Sequence, residues 1–194
     1  MAEPFKRTAT YDDLRDVPPH LVAEIVYGTL VTHPRPATPH IFSATSLSEE
    51  LVGPFQKGRG GGPGGWIFGE EPELHLGPHV VVPDLAGWRR ERMPHLPATA
   101  FIELPPDWVC ELLSPSTLAH DRGAKRRIYG AYGVRHLWFL DPVVRLLEVF
   151  ALRDAEWVLV DTFVDDTTVC APPFDAITFP LAALWPLDPA PEQA

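Results

Sequence analysis

The chain has 194 residues, 45% of them apolar and 22% charged, which suits one globular domain over 1–194 with a sizeable core. Its formal net charge of -10 excludes a protein that grips nucleic acid through a broad basic surface. No apolar run is long enough to span a membrane and no apolar leader core opens the chain, so a cytoplasmic protein is expected. Two cysteines, Cys110 and Cys170, make neither a disulfide scaffold nor a zinc ribbon; both lie in apolar runs and are expected as buried thiols.

In chain order, residues 11–17 predict a short helix capped by Thr8 or Thr10. Residues 21–26 and 29–33 flank Tyr27-Gly28 and predict a hairpin. Pro39 opens a helical stretch whose apolar stripe is Ile41, Ala44, Leu47, Leu51 and Phe55, ended or bent at Gly53-Pro54. The glycine-rich run 58–65 reads as a flexible loop tip. No Gly-Lys-Ser/Thr follows it, so a phosphate-binding loop is set aside. Strands are predicted at 66–68, 73–76 and 79–82, and irregular chain at 94–106.

Residues 108–113 are apolar except for Glu111 and read as a central strand buried on both faces. A turn at 114–117 leads to a helix over 121–132, with Asp121 as its N-cap and Gly133 just past its end. Residues 137–140 form the next strand. A closing antiparallel hairpin follows, 146–152 and 157–163 around Arg153-Asp154, and the tail beyond Leu187 is Pro-rich. The predicted class is α/β: a mixed β-sheet flanked by helices, with an added N-terminal hairpin and C-terminal antiparallel strands.

Three carboxylates stand in apolar runs: Glu24 in Leu21-Val22-Ala23-Glu24-Ile25-Val26, Asp84 in Val82-Pro83-Asp84-Leu85, and Glu111 in Val109-Cys110-Glu111-Leu112-Leu113. Burying an unpaired carboxylate costs several kcal/mol, so something must compensate, and a divalent ion is the simplest candidate. Two or three oxygen ligands completed by water suit Mg2+ or Mn2+. Lys125, Ile128 and Tyr132 share a helical stripe facing the sheet, with Arg122 and Arg126 pointing outward. An inward lysine wants a partner, and Glu111 is the natural one. Its ammonium can orient water or stabilise charge on a phosphoryl group. Arg122, Lys125, Arg126, Arg127 and Arg135 also make 107–135 net positive in an acidic chain.

Taken singly, each residue has a plainer reading. Asp84 is a turn residue after Pro83, Glu111 a buried glutamate paired with an arginine, and Lys125 a surface lysine. Glu24 stays open between a supporting acid and a hairpin carboxylate paired with an arginine. His75 and His79 have ligand-like spacing, but Gly77-Pro78 forbids a helix between them, so metal ligation is not expected. His120 reads as a surface residue near the cleft, Tyr129 and Tyr132 as packing, and Ser114 and Ser116 as turn residues lacking a nucleophile elbow.

Pro83-Asp84 followed by Glu111 in a hydrophobic strand resembles the PD-(D/E)XK nuclease signature. More closely, Glu24-Ile25-Val26-Tyr27-Gly28, Val82-Pro83-Asp84, Glu111-Leu112-Leu113-Ser114-Pro115-Ser116-Thr117 and Asp121-Arg122-Gly123-Ala124-Lys125 resemble, in order over roughly 10–185, the Uma-two family of restriction-endonuclease-like proteins. The resemblance implies a restriction-endonuclease-like core and a Mg2+ or Mn2+ site on Asp84 and Glu111. It implies Lys125 as the relocated motif lysine, since Leu113 holds the usual position, and Glu24 as a supporting acid. His40 falls near a histidine often found at the start of the following helix. Arg135-His136-Leu137 departs from the family, which more often has a glutamate and an aromatic there. The function so implied is a Mg2+-dependent endonuclease acting on DNA, and cutting two strands suits a homodimer. The alternative is a nuclease-fold binding or regulatory module without catalysis.

Overall fold

The computed structural model describes residues 7–185; the tail beyond Leu187 lies outside them. Helix α1 (Tyr11–Arg15) starts at Thr10, whose backbone N–H and hydroxyl both donate to Asp13. Strands β1 (Leu21–Val26) and β2 (Thr29–Pro34) form the expected hairpin. It turns through Tyr27 and Gly28 at φ 49° and 72°, a left-handed pair suited to a two-residue loop. Helix α2 (Thr38–Leu51) continues into a wide π turn, Val52–Gln56, where Gly53-Pro54 interrupts the regular ladder. Leu47, Leu51 and Phe55 are buried as expected, but Ile41 is 51% exposed. It lies in the first turn of α2.

Strands β3 (Trp66–Glu70), β4 (Leu74–Leu76), β5 (His79–Val81), β6 (Leu85–Arg89) and β7 (Trp108–Leu112) follow. The next helical stretch is α3 (Leu118–His120), a second π turn (Asp121–Lys125) and α4 (Arg126–Ala131). Strands β8 (His136–Asp141), β9 (Leu146–Arg153) and β10 (Glu156–Val164) come next. A small pair, β11 (Thr168–Val169) and β12 (Phe179–Pro180), ends the strands.

The strands form two main sheets: β2-β1-β5-β4, which holds the N-terminal hairpin, and β10-β9-β8-β7-β6-β3, the expected mixed sheet with its C-terminal antiparallel strands. The apolar run 80–85 around Asp84 is divided between two strands in different sheets, parted where Pro83 lacks an N–H for the ladder. Asp84 therefore sits in the link, with its carbonyl accepting from Glu71 N–H. In the larger sheet β7 and β8 are parallel, and α3 to α4 supplies the crossover such a pair requires.

Other expectations need correction. Asp121 is no N-cap: the helix begins earlier, after Thr117, and buries Asp121. The β9–β10 turn is Asp154-Ala155, both at positive φ, one residue later than expected. Cys110 is buried, but Cys170 is exposed beside the short β11. Arg122 and Arg126 do not simply point outward. Arg122 pairs with Glu148 and covers the Phe139 ring, and Arg126 covers Phe150.

The glycine-rich run is an anchored loop, not a free tip. Arg59 N–H donates to Gly53 O, Gly64 N–H to Pro54 O, and Arg90 N–H to Gly65 O. A Cβ at Gly62 would lie 2.2 Å from Pro54 Cβ and 2.4 Å from its Cα. Gly62→Ala is accordingly expected to destabilise the fold by about 1–3 kcal/mol, read as a lower midpoint in urea denaturation. An unchanged midpoint would mean that this loop carries no packing.

The alternation of β7 positions the site. Trp108, Cys110 and Leu112 face one core with Trp66, Trp138 and Phe174. Val109 and Leu113 face the other, with Val81, Ile128 and Tyr129. Glu111 falls by the same two-residue period on the side of the crossover helix.

Candidate active site

Glu111 is 1% exposed, and the crossover helix meets it from above. Lys125 Nζ lies 2.9 Å from Glu111 Oε1 and 3.0 Å from Oε2. Tyr129, one turn on, donates its hydroxyl to Oε1. Asp84 arrives from the link just before the neighbouring strand β6. Leu85 pairs with Cys110, so one further step of that antiparallel register brings Asp84 opposite Glu111 on the same face. Asp84 Oδ2 accepts the Leu112 N–H at 2.6 Å, and Oδ1 meets His40 Nε2 at 2.7 Å.

Glu24 comes from the other sheet and is fully buried. Its Oε1 accepts Val82 N–H at 2.7 Å and lies 3.3 Å from Lys125 Nζ. Its Oε2 lies 2.9 Å from His120 Nε2 and 3.8 Å from His33 Nε2. No arginine pairs with it among the described residues, which disposes of the hairpin salt bridge that the sequence left open. Asp121 reaches Lys125 at 3.5 Å across the π turn, and Lys125 Nζ also donates to Val82 O at 3.0 Å. Thus Glu24, Asp84, Glu111 and Lys125, distant in sequence, meet in one place.

Electrostatics follow from the imbalance of four carboxylates (Glu24, Asp84, Glu111 and Asp121) around one ammonium. Burial alone would push Glu24 up, but Lys125, His120, His33 and the Val82 N–H hold it well below the usual carboxylate range. Burial pushes Glu111 well up against the pull of Lys125, and Asp121 and Asp84 add to the rise. Burial would lower Lys125, yet Glu111 and Glu24 drive it well above an ordinary lysine. Burial thus dominates at Glu111, whereas the neighbouring Glu111 and Glu24 carboxylates overcome it at Lys125. Lys125 is therefore a fixed ammonium that can donate and attract, but cannot take a proton from water.

Asp84, Glu111, Asp121 and Lys125 line a cavity of about 270 Å3. Its walls are the β2–α2 connection, from His33 to Ala37 with His40, and the turn after β7, Ser114 to Thr117. Ser114 Oγ lies 3.0 Å from both Ser116 Oγ and Thr117 Oγ1, so these hydroxyls form the turn, as expected. Hard carboxylate oxygens with excess negative charge fit a divalent cation in chemistry. Asp84, Glu111 and Asp121 line the cavity, the first two from the link before β6 and from the adjacent β7. Among the described residues no three His, Cys, Asp or Glu side chains form a ready ligand cluster, so water would complete the shell.

Several members of this constellation escaped the sequence. His120 is a partner of Glu24, not a free surface residue; Asp121 is a buried acid; the Tyr129 hydroxyl holds Glu111. The i, i+4 relation of Asp121 and Tyr129 to Lys125 was the available signal. His75 and His79 do not meet: His75 stacks on Phe101 and bonds Glu73, while His79 accepts the Tyr27 N–H. His136, of the departing Arg135-His136 pair, opens β8 at the end opposite Leu112; burial and Arg89 push it down to about 4.

Among solved structures, the chain resembles a putative nuclease of DUF820 from Anabaena variabilis, at 20% identity and a TM-score of 0.71, covering 91% of this chain and 97% of the other. That likeness gives the fold, a restriction-endonuclease-like one. No curated protein matches the chain. No helix among the described residues is long and apolar enough to cross a membrane. The model of the Uma2 family, described as "Putative restriction endonuclease", matches residues 8–182, and the chain belongs to that family.

Proposed function

We propose that the protein is a metal-dependent endonuclease that hydrolyses DNA phosphodiester bonds. Asp84 and Glu111 are the carboxylates that hold Mg2+ or Mn2+, Lys125 is the catalytic cation, and Glu24 supports it. The observation that carries this reading is the meeting of Asp84, Glu111 and Lys125, from a strand link, a central strand and a crossover helix, in the lining of one cavity. A bound dication supplies a water of lowered pKa and neutralises phosphoryl charge. The chain's own groups supply the rest. Lys125 offers a fixed positive charge to a phosphate oxygen or an attacking water. Glu24 and Asp121 hold its ammonium in place, and Tyr129 fixes the Glu111 carboxylate. His40 and the Leu112 N–H orient Asp84.

The test is cleavage of supercoiled plasmid with Mg2+ or Mn2+. Relaxed and linear products are expected, and chelation with EDTA should stop their formation. Cleavage that continues in EDTA defeats the proposal.

A second reading, a binding module without catalysis, is favoured by one observation: each oxygen of Asp84 and Glu111 already has a protein partner. Calorimetry separates the two. Magnesium binding that is lost in Glu111→Gln supports the enzyme, and no binding supports the module.

A further inference from the structure

The groups assigned to catalysis are recessed. Glu111 is 1% exposed, Lys125 2%, and the Asp84 side chain 18%. A scissile phosphate must therefore descend between two loops into about 270 Å3 to reach them. A phosphate on a paired duplex is held at the rim by the width of the double helix, whereas an unpaired nucleotide can be inserted bodily.

The cations point the same way. Duplex binding relies on a track of lysines and arginines along the phosphates. Of the cavity-lining residues, Arg35 and Lys125 are the basic ones. Lys125 is held by three carboxylates, and Arg35 leans on Glu71 at 3.5 Å. Exposed apolar residues stand next in sequence to lining residues on both walls. Ile41 follows cavity-lining His40 and is 51% exposed, although it belongs to the apolar stripe of α2. Leu118 follows cavity-lining Thr117 on the opposite wall and is 40% exposed. Exposed apolar side chains neighbouring the two walls suit the face of an unstacked base, and the lining Ser114, Ser116 and Thr117 hydroxyls suit sugar and phosphate oxygens.

Building on the proposed nuclease reading, we infer that the substrate is an unpaired nucleotide, in single-stranded DNA or displaced from a duplex, with Ile41 and Leu118 as specificity-determining residues. The test uses one labelled oligodeoxynucleotide in three forms: single strand, fully paired duplex, and duplex with a central unpaired bulge. With Mg2+ or Mn2+, the single strand is expected to be cut at least about tenfold faster than the paired duplex. The bulge arm tells the two sources apart. Cutting at the bulge admits displaced nucleotides, and no cutting there restricts the substrate to free single strands. Ile41→Ala with Leu118→Ala should raise KM for the single strand about tenfold with little change in kcat. Equal or faster cutting of the paired duplex overturns the inference and leaves the nuclease intact. Fluorescence anisotropy of the same oligonucleotides with wild-type protein in EDTA reads binding without turnover: preference for the single strand supports the inference. Equal binding of both forms, or none, overturns it. Absence of cleavage of every form in either metal overturns the nuclease reading itself.

Discussion

Asp84→Asn is expected to reduce metal-dependent cleavage roughly a thousandfold, because losing one anionic ligand removes several kcal/mol of charge stabilisation. The variant should fold. The amide keeps an oxygen able to accept the Leu112 N–H, and the side chain is partly exposed, so no core cavity opens. Activity and folding can therefore be read apart: the initial rate of plasmid nicking should collapse while the thermal midpoint moves by only a few degrees, by roughly 1 kcal/mol of stability at most. A rate within about tenfold of wild type, at saturating metal, would remove Asp84 from the metal site. Loss of rate together with loss of fold would place it in the scaffold.

Lys125→Met should have the largest effect on stability. The ammonium is the shared partner of Glu24, Glu111 and Asp121, at 3.3, 2.9 and 3.5 Å. Removing one partner of a buried charge network typically costs about 3–5 kcal/mol, because the remaining charges stay buried and uncompensated. The pH dependence follows with a definite sign. In the variant the stranded carboxyls have folded-state pKa values raised above their unfolded ones, since burial and mutual repulsion favour the neutral form. Such groups add stability below the unfolded pKa and lose it as pH rises through the folded one. The gap between variant and wild type, read from urea midpoints, should accordingly be wide near neutral pH and narrow toward pH 5. Adding Glu111→Gln to Lys125→Met should recover part of the loss, because one of the stranded charges is then absent. A gap that does not change with pH would show that the acids are not electrostatically coupled to Lys125.

Both variants touch residues whose chemistry is visible in the chain's order but whose partners are not. The run Trp108-Val109-Cys110-Glu111-Leu112 announces a buried strand by its apolar continuity, and the carboxylate within it announces a site, because a buried charge needs a reason. The Tyr27-Gly28 turn, the 3.6-residue stripe of α2 and the alternating final strands are likewise local patterns, and local patterns are what a sequence displays. Asp84 shows where that ends. Val80-Val81-Val82-Pro83-Asp84-Leu85 has the composition of one strand, and only the pairing of β5 with β1 and of β6 with β7 divides it between two sheets.

The groups that hold the site's carboxylates are brought in by tertiary structure throughout. His120 meets Glu24 across 96 positions, and His40 meets Asp84 across 44. No periodicity of 2 or 3.6 residues links such pairs. Their meeting depends on the antiparallel register of β6 on β7 and on the crossover that lays Asp121, Lys125 and Tyr129 over Glu111. Residue identity determined which groups were costly to bury; the packing of two sheets about one helix decided which partners would compensate them, because charges separated along the chain interact only once folding brings them within a few ångströms in a medium that screens them little.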